Sequence, residues 1–158
     1  MHDYSFELAS TRDAGAIAAL SRRLIEAGLP PAWPADRVLC HIKRTDSVVV
    51  TARCHGQLAG FAIMQFGDTH AHLNLLAVES AYQRQGLGRQ IMNWLHESAL
   101  VAGTFDVGLE LRANNLDARR FYESLGYRAG LLMRGYYQGL EDALRMACDL
   151  RVNRGLTA

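Results

Sequence analysis

Glu110 stands between Leu109 and Leu111 in the segment TFDVGLELR, and Tyr122 follows in FYESL. Alternate residues of a strand face opposite ways, so the two leucines can be buried while the carboxylate is presented on the other face. A carboxylate placed there can accept a proton directly or through water, and a nearby phenol can give one up. Plainer readings stand beside these. Glu110 can be an edge charge or a partner for Arg112, and either Phe121 or Tyr122 can simply anchor a helix to a sheet. Arg112 can hold the Glu110 carboxylate ionised, or it can bind substrate or solvent instead.

A second kind of chemistry belongs to the stretch Val78-Glu79-Ser80-Ala81-Tyr82-Gln83-Arg84-Gln85-Gly86-Leu87-Gly88, between an apolar strand pattern and an amphipathic helix pattern. Glycines at 86 and 88 let the backbone turn tightly and approach a ligand without a Cβ in the way. The first amides of a helix lack intrahelical acceptors, and the helix field favours negative charge there. Arg84 and Arg89 can add charge-assisted hydrogen bonds. A pyrophosphate fits this arrangement, although two glycines can also be no more than a turn and a cap. No GK[ST] ending follows and no third glycine stands at the dinucleotide spacing, which argues against ATP and nicotinamide cofactors.

Other reactive types carry less. Cys40, Cys54 and Cys148 have no local His partner and are read as structural, which favours direct transfer over a covalent enzyme intermediate. His70 and His72 share one strand face, but a metal needs further convergent ligands, so the pair is given no role and no metal is expected. Trp33, Tyr136 and Tyr137 can line a peptide groove, or they can form a local core cluster.

The elements that position these groups follow from periodicity. Residues 4–8 read as a strand, and Ser10 with Asp13 resembles a capping box. Ile17, Leu20 and Leu24 recur at helical spacing in a helix stopped at Gly28. LPPAWPAD holds all three prolines and reads as an irregular turn before a short helix over residues 36–42. SVVVTARC, QLAGFAIMQF and HAHLNLLAV, joined at His55-Gly56 and Gly67-Asp68, read as an antiparallel meander. A helix starting near Gly86 puts Leu87, Ile91, Leu95 and Ala99 on one face. TFDVGLELR is a strand, NLDARRFYESL a helix, and YRAGLLMRGYY and ALRMACDL two further strands. The order β-α-α-β-β-β-α-β-α-β-β predicts an α/β fold, one domain over residues 1–158 with a mixed central sheet flanked by helices and a parallel crossover after residue 78.

Composition sets the outer limits. At 158 residues, 49% hydrophobic and 21% charged, the chain is a folded domain rather than a disordered one. A net charge of +1 gives no long-range attraction to nucleic acid, so no nucleic-acid partner is required. No apolar run reaches the roughly 20 residues needed to cross a bilayer, and the first ten residues do not read as a secretion signal. A reducing, cytoplasmic setting away from membranes is expected. The oligomeric state is open.

LNLLAVESAYQRQGLGRQIMNWL and LELRANNLDARRFYESLGYRAGLLMRGYY together resemble the core of the GNAT superfamily of N-acetyltransferases. Within that superfamily the resemblance is to ribosomal-protein-alanine acetyltransferases of the RimI type. They share Trp33 in a proline-bearing link, Glu110 and Asn115 in LELRANN, FYESLGY, and Tyr136-Tyr137 ahead of Glu141-Asp142-Ala143. The Gln138-Gly139-Leu140 link is shorter than usual there, and the first positions of Asn74 to Val78 differ.

The resemblance implies acetyl-coenzyme A as acyl donor. It implies that Leu76, Ala77 and Val78 meet the pantetheine arm through backbone groups. Gln83, Arg84, Gln85, Gly86, Leu87, Gly88 and Arg89 would receive the pyrophosphate. Asn115 would touch the cofactor arm, and Tyr122 would lie near its sulfur. Glu110 would then be the proton acceptor, Tyr122 the donor to the departing thiolate, and Trp33, Tyr136 and Tyr137 the walls for an amine-bearing protein or peptide. The expected reaction is acetyl transfer to an N-terminal α-amine. A small-molecule amine acetyltransferase and a catalytically silent acyl-CoA-binding module are the alternatives.

Overall fold

A computed structural model of the chain describes residues 2–153. The elements come in the order expected from the sequence. They are β1 (Ser5–Leu8), α1 (Ala14–Leu24), α2 (Ala35–Lys43), β2 (Ser47–Cys54), β3 (Gln57–Phe66), β4 (His70–Val78), α3 (Leu87–Val101), β5 (Asp106–Arg112), α4 (Leu116–Ser124), β6 (Arg128–Tyr137), β7 (Glu141–Asp149) and a last turn of helix, α5 (Leu150–Asn153). The seven strands are hydrogen-bonded in the order β1-β2-β3-β4-β5-β7-β6. β1-β2 and β2-β3 are antiparallel, β4 and β5 are parallel, and β5-β7 and β7-β6 are antiparallel. This is the mixed α/β sheet that the periodicities imply, with the β4-α3-β5 crossover parallel.

Two compact units can be recognised, Met1–Gln65 with Leu73–Leu95, and Phe66–His72 with His96–Ala158. In the first, α1 buries Ala14, Ile17, Ala18, Leu20 and Ser21, the stripe its spacing calls for. Ala14, Ile17, Ala18 and Leu20 meet Val38, Val49, Phe61, Ile63, Leu75, Ala77 and Trp33 in one apolar cluster. Fully burying each large aliphatic or aromatic side chain there contributes roughly 1.5–3 kcal/mol. Helix α1 ends at Leu24, a turn before Gly28, because the amides of Ile25 and Glu26 both fold back to the Ser21 carbonyl at 2.8 and 2.9 Å. The buried Glu26 carboxylate then accepts from Ser21 Oγ at 2.8 Å, from the amide of Trp33 at 3.0 Å and from the amide of Ala32. One inward carboxylate thus organises the proline-rich link.

In the second unit the burial of β5 alternates strictly. Val107, Leu109 and Leu111 are buried, while Gly108, Glu110 and Arg112 are half-buried on the other face. Strand β7 buries Leu144, Met146 and Cys148 in register with Leu111, Leu109 and Val107. His96 and Tyr127 are joined by a 2.8 Å hydrogen bond. Among the described residues no helix is long and apolar enough to cross a membrane.

Candidate active site

The turn after β4 is shaped by bonds of short range. The Gln83 side-chain amide donates to the Val78 carbonyl at 2.9 Å, tying the turn back to the end of the strand. Gln85 donates to the Ala81 carbonyl at 3.3 Å and accepts from the Tyr4 hydroxyl at 3.1 Å. Glu79 caps the 3-10 turn Ser80–Tyr82 and receives both Arg23 guanidinium nitrogens, at 2.8 and 2.9 Å. That Arg23 bond holds the Glu79 carboxyl below its usual range.

The backbone here is unusual. Gly86 has φ +82° and Arg84 has φ +62°, a conformation that costs a non-glycine residue about 1 kcal/mol or more. Strain at a non-glycine position in a turn facing a helix start is the kind of outlier that accompanies ligand sites. The first bond of α3 back into the turn runs from the Gln90 amide to the Gly86 carbonyl at 3.1 Å. The amides of Leu87 and Gly88, in the first turn of the helix, therefore have no intrahelical acceptor and can donate to an anion. Behind the turn, a Cβ on Gly60 would stand 2.9 Å from the Ala77 carbonyl oxygen and 3.1 Å from Ile91 Cδ1, so only glycine lets β3 lie this close to the end of β4. Within β4 Ala77 is buried and Leu76 and Val78 are half-buried.

Glu110 is surrounded by residues from three other strands. Its side chain is 5% exposed. Oε1 accepts from His72 Nε2 at 2.7 Å and from the Tyr136 hydroxyl at 3.0 Å, and Oε2 accepts from Arg145 Nε at 3.1 Å. Burial pushes the carboxyl pKa up. The His72 hydrogen bond and charge, followed by the bonds from Tyr136 and Arg145, more than offset that and hold it at about 2. The cation is supplied by Arg145, directly opposite Glu110 in the β5-β7 register. Arg112 lies instead 3.5 Å from Glu141. His70 and His72 turn to different carboxylates, His70 standing 3.4 Å from Asp106.

Tyr136 and Tyr137 close the end of β6 with their rings 5.1 Å apart and nearly perpendicular. A register shift between Met133 and Tyr137 bends the strand here. The Gln138-Gly139-Leu140 link is a tight turn, with the Leu140 amide on the Tyr137 carbonyl at 2.9 Å. Burial, then the neighbouring Tyr136, pushes the Tyr137 phenol up to about 12. Tyr122 is buried in α4 between the rings of Phe121 and Tyr127, at 5.1 and 5.6 Å. Burial raises its pKa, so the phenol keeps its proton near neutrality. Asn115 caps α4, its side-chain oxygen accepting from the Ala118 amide at 3.1 Å.

The structure thus gathers Glu110, Tyr136 and Tyr137, and adds His72 and Arg145, which the sequence did not mark as site residues. His72 was visible as one of a pair of histidines on a strand face, but nothing in the sequence paired it with Glu110. One expectation is corrected. The Trp33 ring, expected along a groove, is 9% exposed and packs in the apolar cluster of the first unit, with the Arg37 guanidinium over it at 3.8 Å. The bonds from Glu26 to the amides of Ala32 and Trp33 hold that segment in place, so core packing accounts for Trp33.

The acetyltransferase (GNAT) domain family matches residues 45–129, from just before β2 to the second residue of β6. A [ribosomal protein bS18]-alanine N-acetyltransferase from Escherichia coli is 42% identical over 99 residues, 61% of this chain and 67% of that protein. The N-terminal acetyltransferase B complex catalytic subunit NAA20 of Arabidopsis thaliana is 35% identical over 95 residues, 60% of this chain and 55% of its own length. Among solved structures, the ribosomal-protein-S18-alanine N-acetyltransferase of Escherichia coli superposes with a TM-score of 0.83 at 30% identity, covering 99% of this chain and 96% of that one.

Proposed function

The chain belongs to the acetyltransferase (GNAT) family, and from that premise we propose that it transfers acetyl from acetyl-coenzyme A to the N-terminal α-amine of a protein or peptide. The observation that carries the proposal is a buried, ionised Glu110 bonded to the Tyr136 hydroxyl, with the Tyr137 ring beside Tyr136. An attacking amine must lose a proton, and near neutrality freeing its lone pair costs about 1 kcal/mol for an α-amine but about 5 kcal/mol for a lysine. A carboxylate held ionised can support that loss for the α-amine. Two relatives, one named for alanine acetylation on a ribosomal protein and one for N-terminal acetylation, favour a polypeptide acceptor.

Acetyl-coenzyme A brings the activated thioester carbon. In the first unit, the turn from Gln83 to Arg89, with the amides at the start of α3, is suited to a pyrophosphate, and Arg84 and Arg89 add positive charge. Leu76, Ala77 and Val78 offer the strand end that leads into this turn. In the second unit, the proton leaving the amine passes to the assembly around Glu110, and Tyr122, protonated in its buried setting, donates to the departing sulfur. Asn115 is assigned to the cofactor arm, and Tyr136 and Tyr137 to the acceptor chain.

The test compares peptides of one sequence with free and blocked N-termini, each containing a lysine. Labelling only of the free α-amine is the expected outcome. Equal labelling of the blocked peptide through lysine would overturn the assignment, and acetylation of small amines alone would move the acceptor to that class.

A further inference from the structure

We propose that Arg23 is a positioning residue for the cofactor turn, cancelling the charge of Glu79 that would otherwise oppose the anion received there. This deepens the reading of the turn from Gln83 to Arg89 as the pyrophosphate site and rests on it. From residue 79 to residue 89 the chain carries one acidic side chain, Glu79, against Arg84 and Arg89. A carboxylate at the foot of an anion site repels the ligand, so its presence needs both a reason and a remedy.

The reason is local. Glu79 follows the end of β4, where its amide donates to the Ala59 carbonyl at 2.8 Å and its Oε1 accepts from the Ser80 amide at 3.1 Å. The amides of Tyr82 and Gln83 then fold back on the carbonyls of Glu79 and Ser80 at 2.8 and 3.3 Å. An acceptor side chain at position 79 therefore starts the 3-10 turn that leads to the strained backbone at Arg84 and Gly86. The capping role calls for an acceptor there, and glutamate supplies it together with a charge.

The remedy comes from 56 residues away. Arg23, in the last turn of α1, sets its two terminal guanidinium nitrogens on the two oxygens of the Glu79 carboxylate at 2.8 and 2.9 Å. This is the planar fork that a guanidinium makes and an ammonium cannot. The bond holds the Glu79 carboxyl below its usual range, so the charge persists at working pH and has to be balanced rather than titrated away. With Glu79 balanced, the positive charge of Arg84 and Arg89 is no longer offset at the turn. The Arg23 side chain is 56% exposed and that of Glu79 27%. An ion pair so exposed contributes little to folding. Loss of Arg23 should therefore leave the fold intact, and the carboxylate left behind acts on a ligand that carries several negative charges.

The experiment is a double-variant cycle on the full chain, with coenzyme A affinity measured by calorimetry and kcat measured at saturating acetyl-coenzyme A. Arg23→Gln should raise the coenzyme A dissociation constant about five- to tenfold, with kcat within twofold of wild type. Glu79→Gln should bind within threefold of wild type, and adding it to Arg23→Gln should bring the affinity back to the same range. Raising salt from about 0.1 to about 1 M shortens the screening length from about 10 to about 3 Å, so the Arg23→Gln deficit should shrink to less than twofold. Tyr4→Phe is the control, because it removes an uncharged tether to the same turn, the 3.1 Å bond from Tyr4 to Gln85. Its effect should not respond to salt. An Arg23→Gln protein that binds within twofold of wild type overturns the proposal. So does a double variant as weak as Arg23→Gln, because Arg23 would then act on the phosphates or on the fold rather than through Glu79. A deficit unmoved by salt, or one matched in size and salt dependence by Tyr4→Phe, overturns it too. The binding measurement needs no acceptor. A wild type that binds coenzyme A but labels no peptide removes the acceptor assignment while the cycle still judges Arg23, and a wild type that binds no coenzyme A removes both.

Discussion

The turn from Glu79 to Arg89 and the surroundings of Glu110 differ in how far along the chain their parts lie. Within the turn, the side-chain bonds of Glu79 to Ser80, Gln85 to Ala81 and Gln83 to Val78 span one, four and five residues. Arg23 and Tyr4 reach in from elsewhere. The contacts of Glu110 to Tyr136, Arg145 and His72 span 26, 35 and 38 residues, and all three depend on strand pairing. The turn offers backbone donors, so its function depends on φ angles and tolerates many side chains. The Glu110 assembly offers side-chain atoms, so its function depends on their chemistry and on register. Turn variants should therefore change cofactor affinity, and variants of the second unit should change turnover.

Tyr122→Phe gives the largest expected separation. It keeps the ring packing against Phe121 and Tyr127 but removes the proton that the sulfur needs. kcat should fall roughly 10²- to 10³-fold, with coenzyme A affinity by calorimetry within twofold of wild type. A comparable loss of affinity would break the division between binding and chemistry.

The Glu110 assembly should also show itself in stability. The carboxyl lies at about 2 in the folded protein against an ordinary 4.5. A depressed folded value means stability that is present above the unfolded pKa and is lost as pH falls through the folded one. The full contribution is on the order of 3 kcal/mol and should disappear progressively from about pH 5 to pH 2. Urea unfolding of wild type and Glu110→Gln measures this as a stability difference that changes in favour of the variant as pH falls. A pH-independent difference would mean that the bonds to His72, Tyr136 and Arg145 do not set the ionisation.

The same contrast explains what the sequence disclosed. Element order, the parallel crossover and the alternation Leu109-Glu110-Leu111 were readable because periodicity is local. So was the turn, a contiguous run from Gln83 to Arg89. The arginine on Glu110 was not, because Arg112 is near in sequence while Arg145 is opposite only once β5 and β7 are in register. Trp33 misled for a related reason. A tryptophan among three prolines reads as an exposed loop residue, but the buried Glu26 carboxylate ties the Ala32 and Trp33 amides inward and carries the ring into the core. A single acidic residue near a helix end does not announce that it will face the interior.

Gly86→Val tests the backbone side of the comparison. Its Cβ would meet nothing within 4 Å, so any effect comes from the φ of +82°. Left-handed backbone costs an L-residue about 1–2 kcal/mol, more for a β-branched one. The turn should relax, and coenzyme A affinity should fall about tenfold, with kcat at saturation within threefold of wild type. Unchanged affinity would show that the pyrophosphate is not held by this conformation.

The smallest effect belongs to Gln83→Ala. Gln83 uses its side-chain amide on the Val78 carbonyl at 2.9 Å, so it holds the turn rather than reaching for a ligand. A neutral hydrogen bond on an exposed residue contributes roughly 0.5–1.5 kcal/mol, which predicts a two- to tenfold rise in the coenzyme A dissociation constant and no shift in the pH profile. Gln83→Glu sharpens the point, because a carboxylate cannot donate to Val78 and would repel an anion. If the Glu variant binds much more weakly than the Ala variant, charge at the turn matters beyond its shape. If the two bind alike, the side chain acts only through the Val78 carbonyl, and anion binding at this turn is a property of its backbone.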